Sequence, residues 1–346
     1  MKIAVDAMGG DNGPQPVVVG AAAALALYPQ IERLFLVGIE GELRSHLNGL
    51  PYDPDRLRIV HASEVVTMED RAVEAVRRKK DSSLSRAVDM VKEGEADAVL
   101  SPGNTGALLA AAQIKLRTLP GVERPGLLSV MPSRVRKFVL IDVGANIEAR
   151  PHHLRDYGIM GEVYARQILG YSNPAVGLFS IGTEEMKGND LIFETQRLLR
   201  NSPVNFVGNV EGHDLFTEKV DVVVADGFTG NAVLKSCEAT ARVIAHWLKE
   251  EIAQNPLRRL GALLAKGVFN DLKKKANPDE YGGAMLMGVN GICIKAHGKS
   301  SANAIRAAIG VAADAVAGRV NDFIVEEIQL SHEKNHAPHP APATAA

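Results

Sequence analysis

The strongest constraint on this chain is a repeated order: a short apolar run, a glycine-rich loop, then an alanine-rich helical segment. Ile3–Asp6, Leu34–Val37, Leu57–Val60, Ala98–Leu100, Phe138–Asp142, Ala175–Phe179, Val204–Val207 and Val220–Ala225 read as strands. Runs this short and apolar suit strands buried on both faces. Between them, Val17–Leu27 reads as a helix opening at Pro14 and Pro16, Ser83–Lys92 as one ending at Gly94, and Thr105–Arg117 as one stopping before Pro120. Alternation of this kind predicts an α/β fold, a mostly parallel sheet with helices on both faces, formed by residues 1–330 as one unit. In such sheets ligands lie outside the carboxyl ends of the strands.

The loops carry the chemistry. Asp6–Pro14, Ser101–Gly106, Asp142–Asn146, Gly182–Asn189 and Asp226–Asn231 are each rich in Gly with Asn, Thr, Ser or Asp beside it. Glycine lets backbone approach a ligand closely, and a helix N-terminus offers N–H groups and a positive dipole end to an anion. One such loop is an ordinary turn. Five suggest an anionic ligand at the carboxyl edge of the sheet.

The 346-residue chain is 46% hydrophobic, enough for a large core, and its net charge of −2 argues against a general nucleic-acid binder. Two cysteines, Cys237 and Cys293, exclude a disulfide framework and a CxxC metal site. No run reaches the roughly 20 apolar residues of a membrane-spanning helix, and the start lacks a signal-peptide core. The expectation is a soluble cytoplasmic protein. Two regions break the pattern. Residues 235–275 read as a helical hairpin broken near Asn255-Pro256, with Arg258, Arg259, Lys266, Lys273, Lys274 and Lys275 interleaved with Leu257, Leu260, Leu263, Leu264, Val268 and Phe269. Such a basic amphipathic element packs against a second copy, or lies on an anionic membrane or acidic partner. Residues 331–346, rich in His, Pro and Ala, read as a disordered tail whose His332, His336 and His339 preorganise no metal site.

The ordered set Asp6–Asp11, Gly103–Ala107, Asp142–Asn146, Gly182–Glu185 with Lys187–Asn189, Gly208–Glu211, Asp226–Asn231, and Tyr281–Ala284 with His297–Gly298 closely resembles the bacterial fatty acyl-ACP:phosphate acyltransferase family (the PlsX type). The resemblance spans residues 1–325. It implies transfer of a long acyl chain from acyl carrier protein to inorganic phosphate, giving acyl phosphate for phospholipid synthesis. It also implies a three-layer α/β/α fold related to phosphotransacetylases and isopropylmalate-type dehydrogenases, and a homodimer. Transient membrane contact and a downstream glycerol-phosphate acyltransferase fit the same picture.

Phosphate brings its own nucleophile to a thioester. The protein must therefore position the reactants and stabilise the oxyanion on the thioester carbonyl. Neither task needs a cofactor or a metal. Lys187 is the first candidate cation for phosphate or oxyanion, with Glu184 and Glu185 beside it; the plain alternative is a solvated loop lysine. Asn231 offers an amide N–H, or an N-cap. Gly9, Gly10, Asn104, Thr105, Gly106, Asn146 and Gly230 are candidate phosphate or pantetheine ligands, against a reading as ordinary turns. Asp6, Asp11, Asp142, Glu184 and Asp226 would orient these donors. His297 is a candidate proton carrier, or a loop-bracing histidine, and Lys299 with Ser300 and Ser301 could hold a pantetheine phosphate. His152, His153 and His213 read as structural or surface residues, and the cysteines as buried packing residues. The competing activities are a short-chain phosphotransacetylase acting on acyl-CoA, a nucleotide-dependent dehydrogenase, for which the G-x-G-x-x-G loop is missing, and a silent membrane scaffold.

Overall fold

The computed structural model describes residues 1–276 and 282–336. Its strands are β1 (Lys2–Asp6), β2 (Arg33–Gly38), β3 (Leu57–His61), β4 (Ala98–Ser101), β5 (Gly126–Met131), β6 (Phe138–Ile141), β7 (Ala175–Phe179), β8 (Asn205–Val210), β9 (Val222–Val224), β10 (Ala284–Met287) and β11 (Ile292–Lys295). The helices are α1 (Gln15–Leu27), α2 (Glu40–Leu47), α3 (Ala72–Arg78), α4 (Ser83–Lys92), α5 (Thr105–Ala111), α6 (Pro151–Gln167), α7 (Asp190–Arg200), α8 (Gly227–Ala253), α9 (Pro256–Leu264), α10 (Lys266–Ala276), α11 (Ala302–Ala317) and α12 (Val320–His336).

All eleven strands form one sheet in the order β3-β2-β1-β4-β11-β10-β5-β6-β9-β7-β8. Pairing is parallel from β3 to β11 and again from β6 to β8. Between the blocks, β10 and β5 pair antiparallel with their neighbours and with each other. The sheet is therefore mostly parallel, as expected, but its two blocks run in opposite directions. The carboxyl ends of β1, β4 and β11 lie at one edge; those of β6, β7 and β9 lie at the other. A single carboxyl edge gathering all five loops does not exist.

Side chains alternate across the sheet, as a strand's period of two requires. Ile3 and Val5 join the core beneath α1, α6, α11 and α12, while Ala4 joins the core beneath α3, α4 and α5. This gives the three layers. The first turns of α8 pack on the second face through Val233, Leu234 and Cys237.

Beyond that contact, α8 and its successors stand away from the core. The break falls where Asn255-Pro256 places it: Asn255 caps α9 through Arg258 N at 3.0 Å. The expected second arm is itself split at Ala265 into α9 and α10. Leu257, Leu264 and Val268 are largely exposed, as is Trp247 on α8. Two of its cations are spent locally, Arg258 on Glu251 and Arg259 on the Ala253 carbonyl; the Lys273, Lys274 and Lys275 side chains lie outside the described residues. No helix among the described residues is long and apolar enough to cross a membrane.

The tail departs later than its composition suggests. Helix α12 continues through His336; Ser331 is fully buried and Arg155 Nη2 donates to His332 Nε2 at 2.9 Å. The His336 side chain and everything from residue 337 on, His339 included, lie outside the described residues.

Leu286 on β10 sits at the seam between the two blocks, 1% exposed. Leu286→Ala is expected to cost about 2–5 kcal/mol, the usual penalty for a large-to-small change in a packed core, read as a lower urea midpoint at unchanged slope.

Candidate active site

At the first edge, three loops knot around Asp6. Its carboxylate, 2% exposed, accepts from Ser83 Oγ at 2.6 Å, Ser101 Oγ at 2.7 Å and Gly9 N at 3.2 Å. Burial pushes this carboxyl above its ordinary value, against the hydrogen bonds from Ser83 and Ser101 that favour the ionised form. A Cβ on Gly9 would stand 2.7 Å from Gly103 N, so the loops after β1 and β4 touch backbone to backbone. Gly10 holds φ at +95°, which suits glycine, and Asp11 N donates to Gly298 O at 2.7 Å. Asp6 thus ties the loops after β1 and β4 to the start of α4.

Asn104 is spent on the protein. Its Oδ1 caps α5 through Ala107 N at 3.1 Å, and its Nδ2 donates to the carbonyls of Met68 and Asp70, each at 3.2 Å. Thr105 follows in the first turn of α5, and Gly106 lets that turn pack on Ala72. Ser301 caps α11 and Ser300 is buried, so neither is a ready phosphate ligand. Asn104 and Ser301 thus serve as helix caps.

At the opposite edge, Asp142 gathers a whole turn. Oδ1 accepts from Leu127 N, Gly144 N and Ala145 N at 2.9–3.0 Å, and Oδ2 from Asn146 N at 2.7 Å. Burial drives its pKa up while these four donors pull it down. Helix α8 sits directly on this turn. A Cβ on Gly230 would fall 2.0 Å from Asp142 O, and one on Gly227 would fall 2.8 Å from Asn146 O. Asn146 turns its amide to Tyr157 OH at 3.3 Å, inside the protein.

The N-terminus of α8 is not an anion site. Asp226 Oδ1 takes Phe228 N and Thr229 N, Asn146 O takes Gly227 N, and Asp226 O takes Gly230 N. Asp226 is therefore the cap, and Asn231 lies one turn further in. That frees the exposed Asn231 amide, which has no hydrogen-bond partner among the described residues and lies beside Gly144.

In the loop after β7, Asn209 Nδ2 bonds the carbonyls of Glu184 and Lys187 at 3.1 and 3.2 Å, pinning the turn. The Lys187 stem crosses Gly182, where a Cβ would meet Lys187 Cγ at 2.9 Å and Glu184 Oε2 at 2.8 Å. Its ammonium is exposed and joins no ion pair among the described residues. Glu185 does not assist it, because Arg200 holds that carboxylate.

His297 belongs to the first edge. Its Nδ1 accepts Lys299 N at 3.1 Å, so the neutral ring carries its proton on Nε2. Burial lowers its pKa, and the charges of Lys235 and Lys295 lower it further. These two lysines are what the sequence reading missed. Lys235 follows Asn231 by four residues and so shares its helix face. Lys295 ends β11 and is 8% exposed. Helix α8 thus carries Asn231 beside the Asp142 turn and Lys235 one turn further on, within range for its charge to act on His297. No direct contact links Lys187 to either among the described residues.

Neither cysteine is a ready nucleophile. Burial pushes Cys293 up to about 12 and raises Cys237 as well. One group could hold a metal by proximity: Glu123, His152 and His153 bring ligand atoms within 4.8 Å. His153 Nδ1 already accepts Arg150 N at 3.0 Å, leaving Nε2–H to face Glu123 at 3.4 Å as a donor. His213 is an exposed neighbour of Asp214.

Comparison with solved structures places the architecture first. The chain resembles a phosphotransacetylase from Streptococcus pyogenes (TM-score 0.62, 19% identity, 92% of this chain and 94% of that one). It also resembles a branched-chain phosphotransacylase from Enterococcus faecalis (TM-score 0.56, 16% identity, 94% and 99%). At such identities the likeness shows the fold alone, an α/β fold of phosphotransacetylase type. Sequence carries the assignment further. Residues 1–322 match the family described as "Fatty acid synthesis protein". A "Phosphate acyltransferase" of Akkermansia muciniphila is 47% identical over 334 residues (95% of this chain, 96% of that one), and one of Geobacillus thermodenitrificans is 45% identical over 330 (95% and 99%). The chain belongs to this phosphate acyltransferase family of enzymes.

Gly230→Ala is expected to unseat α8, since the atom it meets is main-chain oxygen that cannot rotate away. The cost should be about 1–3 kcal/mol or more, read by denaturant unfolding.

Proposed function

We propose that the protein transfers a long-chain fatty acyl group from acyl carrier protein to inorganic phosphate, releasing free carrier thiol and acyl phosphate for phospholipid synthesis. One observation carries this reading within the family. The site offers polar donors and cations with no protein partner, and no competent protein nucleophile: Asn231 and Lys187 are exposed and unpaired among the described residues, while Cys293 is buried with its pKa at about 12. A phosphate oxygen attacks the thioester carbonyl. Asn231 and Lys187 stabilise the oxyanion and the phosphate charge. The C–S bond then breaks, and His297 Nε2–H faces the departing thiolate as a proton source. Asp6, Asp142 and Asp226 act by holding loops, Asp11 by its tie to Gly298, and Gly9, Gly10 and Gly230 by letting backbone approach backbone.

The exposed apolar face of α8, α9 and α10 suits burial against a second copy, with its tip available to an anionic membrane at the inner face of the cell membrane. A lone amphipathic arm has no core of its own to bury that face. Delivery to a glycerol-phosphate acyltransferase follows from the reactivity of an acyl phosphate.

The test is thiol release from palmitoyl-ACP by the purified protein, with and without phosphate and with no added metal. Phosphate-dependent release with hydroxylamine-trappable product is the expected result. Turnover of acetyl-CoA but not palmitoyl-ACP would replace this reading with the short-chain one, and silence with both would overturn it. Asn231→Ala is expected to lower kcat about 10²–10³-fold, as loss of one oxyanion donor does, at unchanged circular dichroism.

A further inference from the structure

Residues 71–80 hold five cations, Arg71, Arg77, Arg78, Lys79 and Lys80, against one acid, Glu74, in a chain whose net charge is −2. Two of the five are spent on the protein. Lys79 Nζ meets Asp70 Oδ2 at 2.5 Å and donates to the Val65 carbonyl at 2.9 Å, and Arg78 pairs with Glu74 one turn back at 2.8 Å. The Arg71, Arg77 and Lys80 side chains are exposed and join no ion pair among the described residues. Cations in a last turn complement the helix dipole, but Arg71 at the start of α3 opposes it. Helix stability therefore does not account for the set.

Ala75 and Val76 turn inward and Ala72 packs on Gly106, which leaves Val73 and Arg77, four residues apart, on the outward face. Val73 is 49% exposed and the preceding Met68 is 47% exposed. An open groove of about 620 Å³ lies here, lined by Arg71, Ala72, Val73, Glu74, Arg77 and Arg78. An apolar centre edged by arginines is the composition of a protein interface.

The groove stands at the rim of the first edge. The segment leading into α3 leaves the carboxyl end of β3 and meets the loop after β4, where Asn104 Nδ2 holds the Met68 and Asp70 carbonyls at 3.2 Å each. That loop in turn touches the one carrying Gly9. A protein seated on α3 lies beside the glycine loops. A bilayer is flat and gains little from two half-exposed apolar side chains. A small anion needs donors held in place, and these three cations are held by nothing. A concave cationic face fits instead a convex acidic one on another protein.

We propose that the groove on α3, edged by Arg71 and Arg77 and flanked by Lys80, is a docking surface for an acidic partner protein. Under the acyltransferase reading, on which the partner's identity rests, that partner is the carrier protein bearing the acyl thioester. The charges act on encounter and orientation, so the surface governs how the carrier binds and leaves the chemical step alone.

The test compares full-length wild type with the double variant Arg77→Glu/Lys80→Glu, both exposed positions away from the Asp6 and Asp142 loops; circular dichroism and thermal unfolding confirm its fold. Calorimetric binding of holo acyl carrier protein is expected to weaken about tenfold or more, since like charges then face each other, and wild-type affinity is expected to fall with added salt. In turnover, KM for palmitoyl-ACP rises by a similar factor at unchanged kcat, while palmitoyl-pantetheine, which lacks the protein, is used equally by both. Unchanged carrier affinity in the folded variant, with turnover intact, overturns the proposal and leaves the reaction standing. An equal loss with palmitoyl-pantetheine overturns it as well, as does a loss confined to binding of phosphatidylglycerol vesicles. A wild type that binds the carrier through α3 yet turns over no palmitoyl-ACP keeps the surface and loses the reaction.

Discussion

Main chain lying on main chain, where α8 meets the turn after β6, is the contact on which the functional geometry depends. With hydrogen in place of a side chain at 227 and 230, the first turn of α8 rests on the carbonyls of Asn146 and Asp142. Asp142 makes that surface rigid by collecting four backbone N–H groups on one carboxylate. The direction of α8 is set there, and with it the row formed by Asn231 and Lys235. A helix started a few ångströms higher would lift Asn231 away from Gly144 and the turn after β6.

Much of this was legible from the chain, and the error in topology has one cause. The eight runs named as strands all appear, each paired in parallel on at least one side, because apolar segments followed by glycine loops signal buried parallel strands. The runs not named are β5, β10 and β11. Gly126–Met131 and Ala284–Met287 are short, largely apolar segments without a following helix, and periodicity does not separate such a run from a buried helical turn. These are also the strands that reverse the sheet. Missing them turned two opposed edges into one.

At the site, Asp6 and Asp142 are expected from sequence to orient phosphate-binding donors; in the structure they collect serine hydroxyls and loop N–H groups. Asn231 was misplaced by one turn because Asp226, the true cap, is also a good capping residue. The spacing from Asn231 to Lys235 was there to be read as a shared helix face. Lys295 gave a fainter signal, a cation ending an apolar run, and only burial gives it meaning.

The position of β10 and β11 has a consequence for biosynthesis. They lie in the middle of the sheet yet come from residues 284–295, the last two strands to be translated among the described residues. Until that segment leaves the ribosome, β4 and β5 each present an edge with unpaired N–H and C=O groups, and edges of that kind invite pairing with other chains. The nascent protein therefore exists as two half-sheets, held apart through just over 150 residues of elongation from the end of β5 and at some ten residues per second. Joining them is a late event that resembles docking more than zippering, and a protective binding partner has most to offer in that interval.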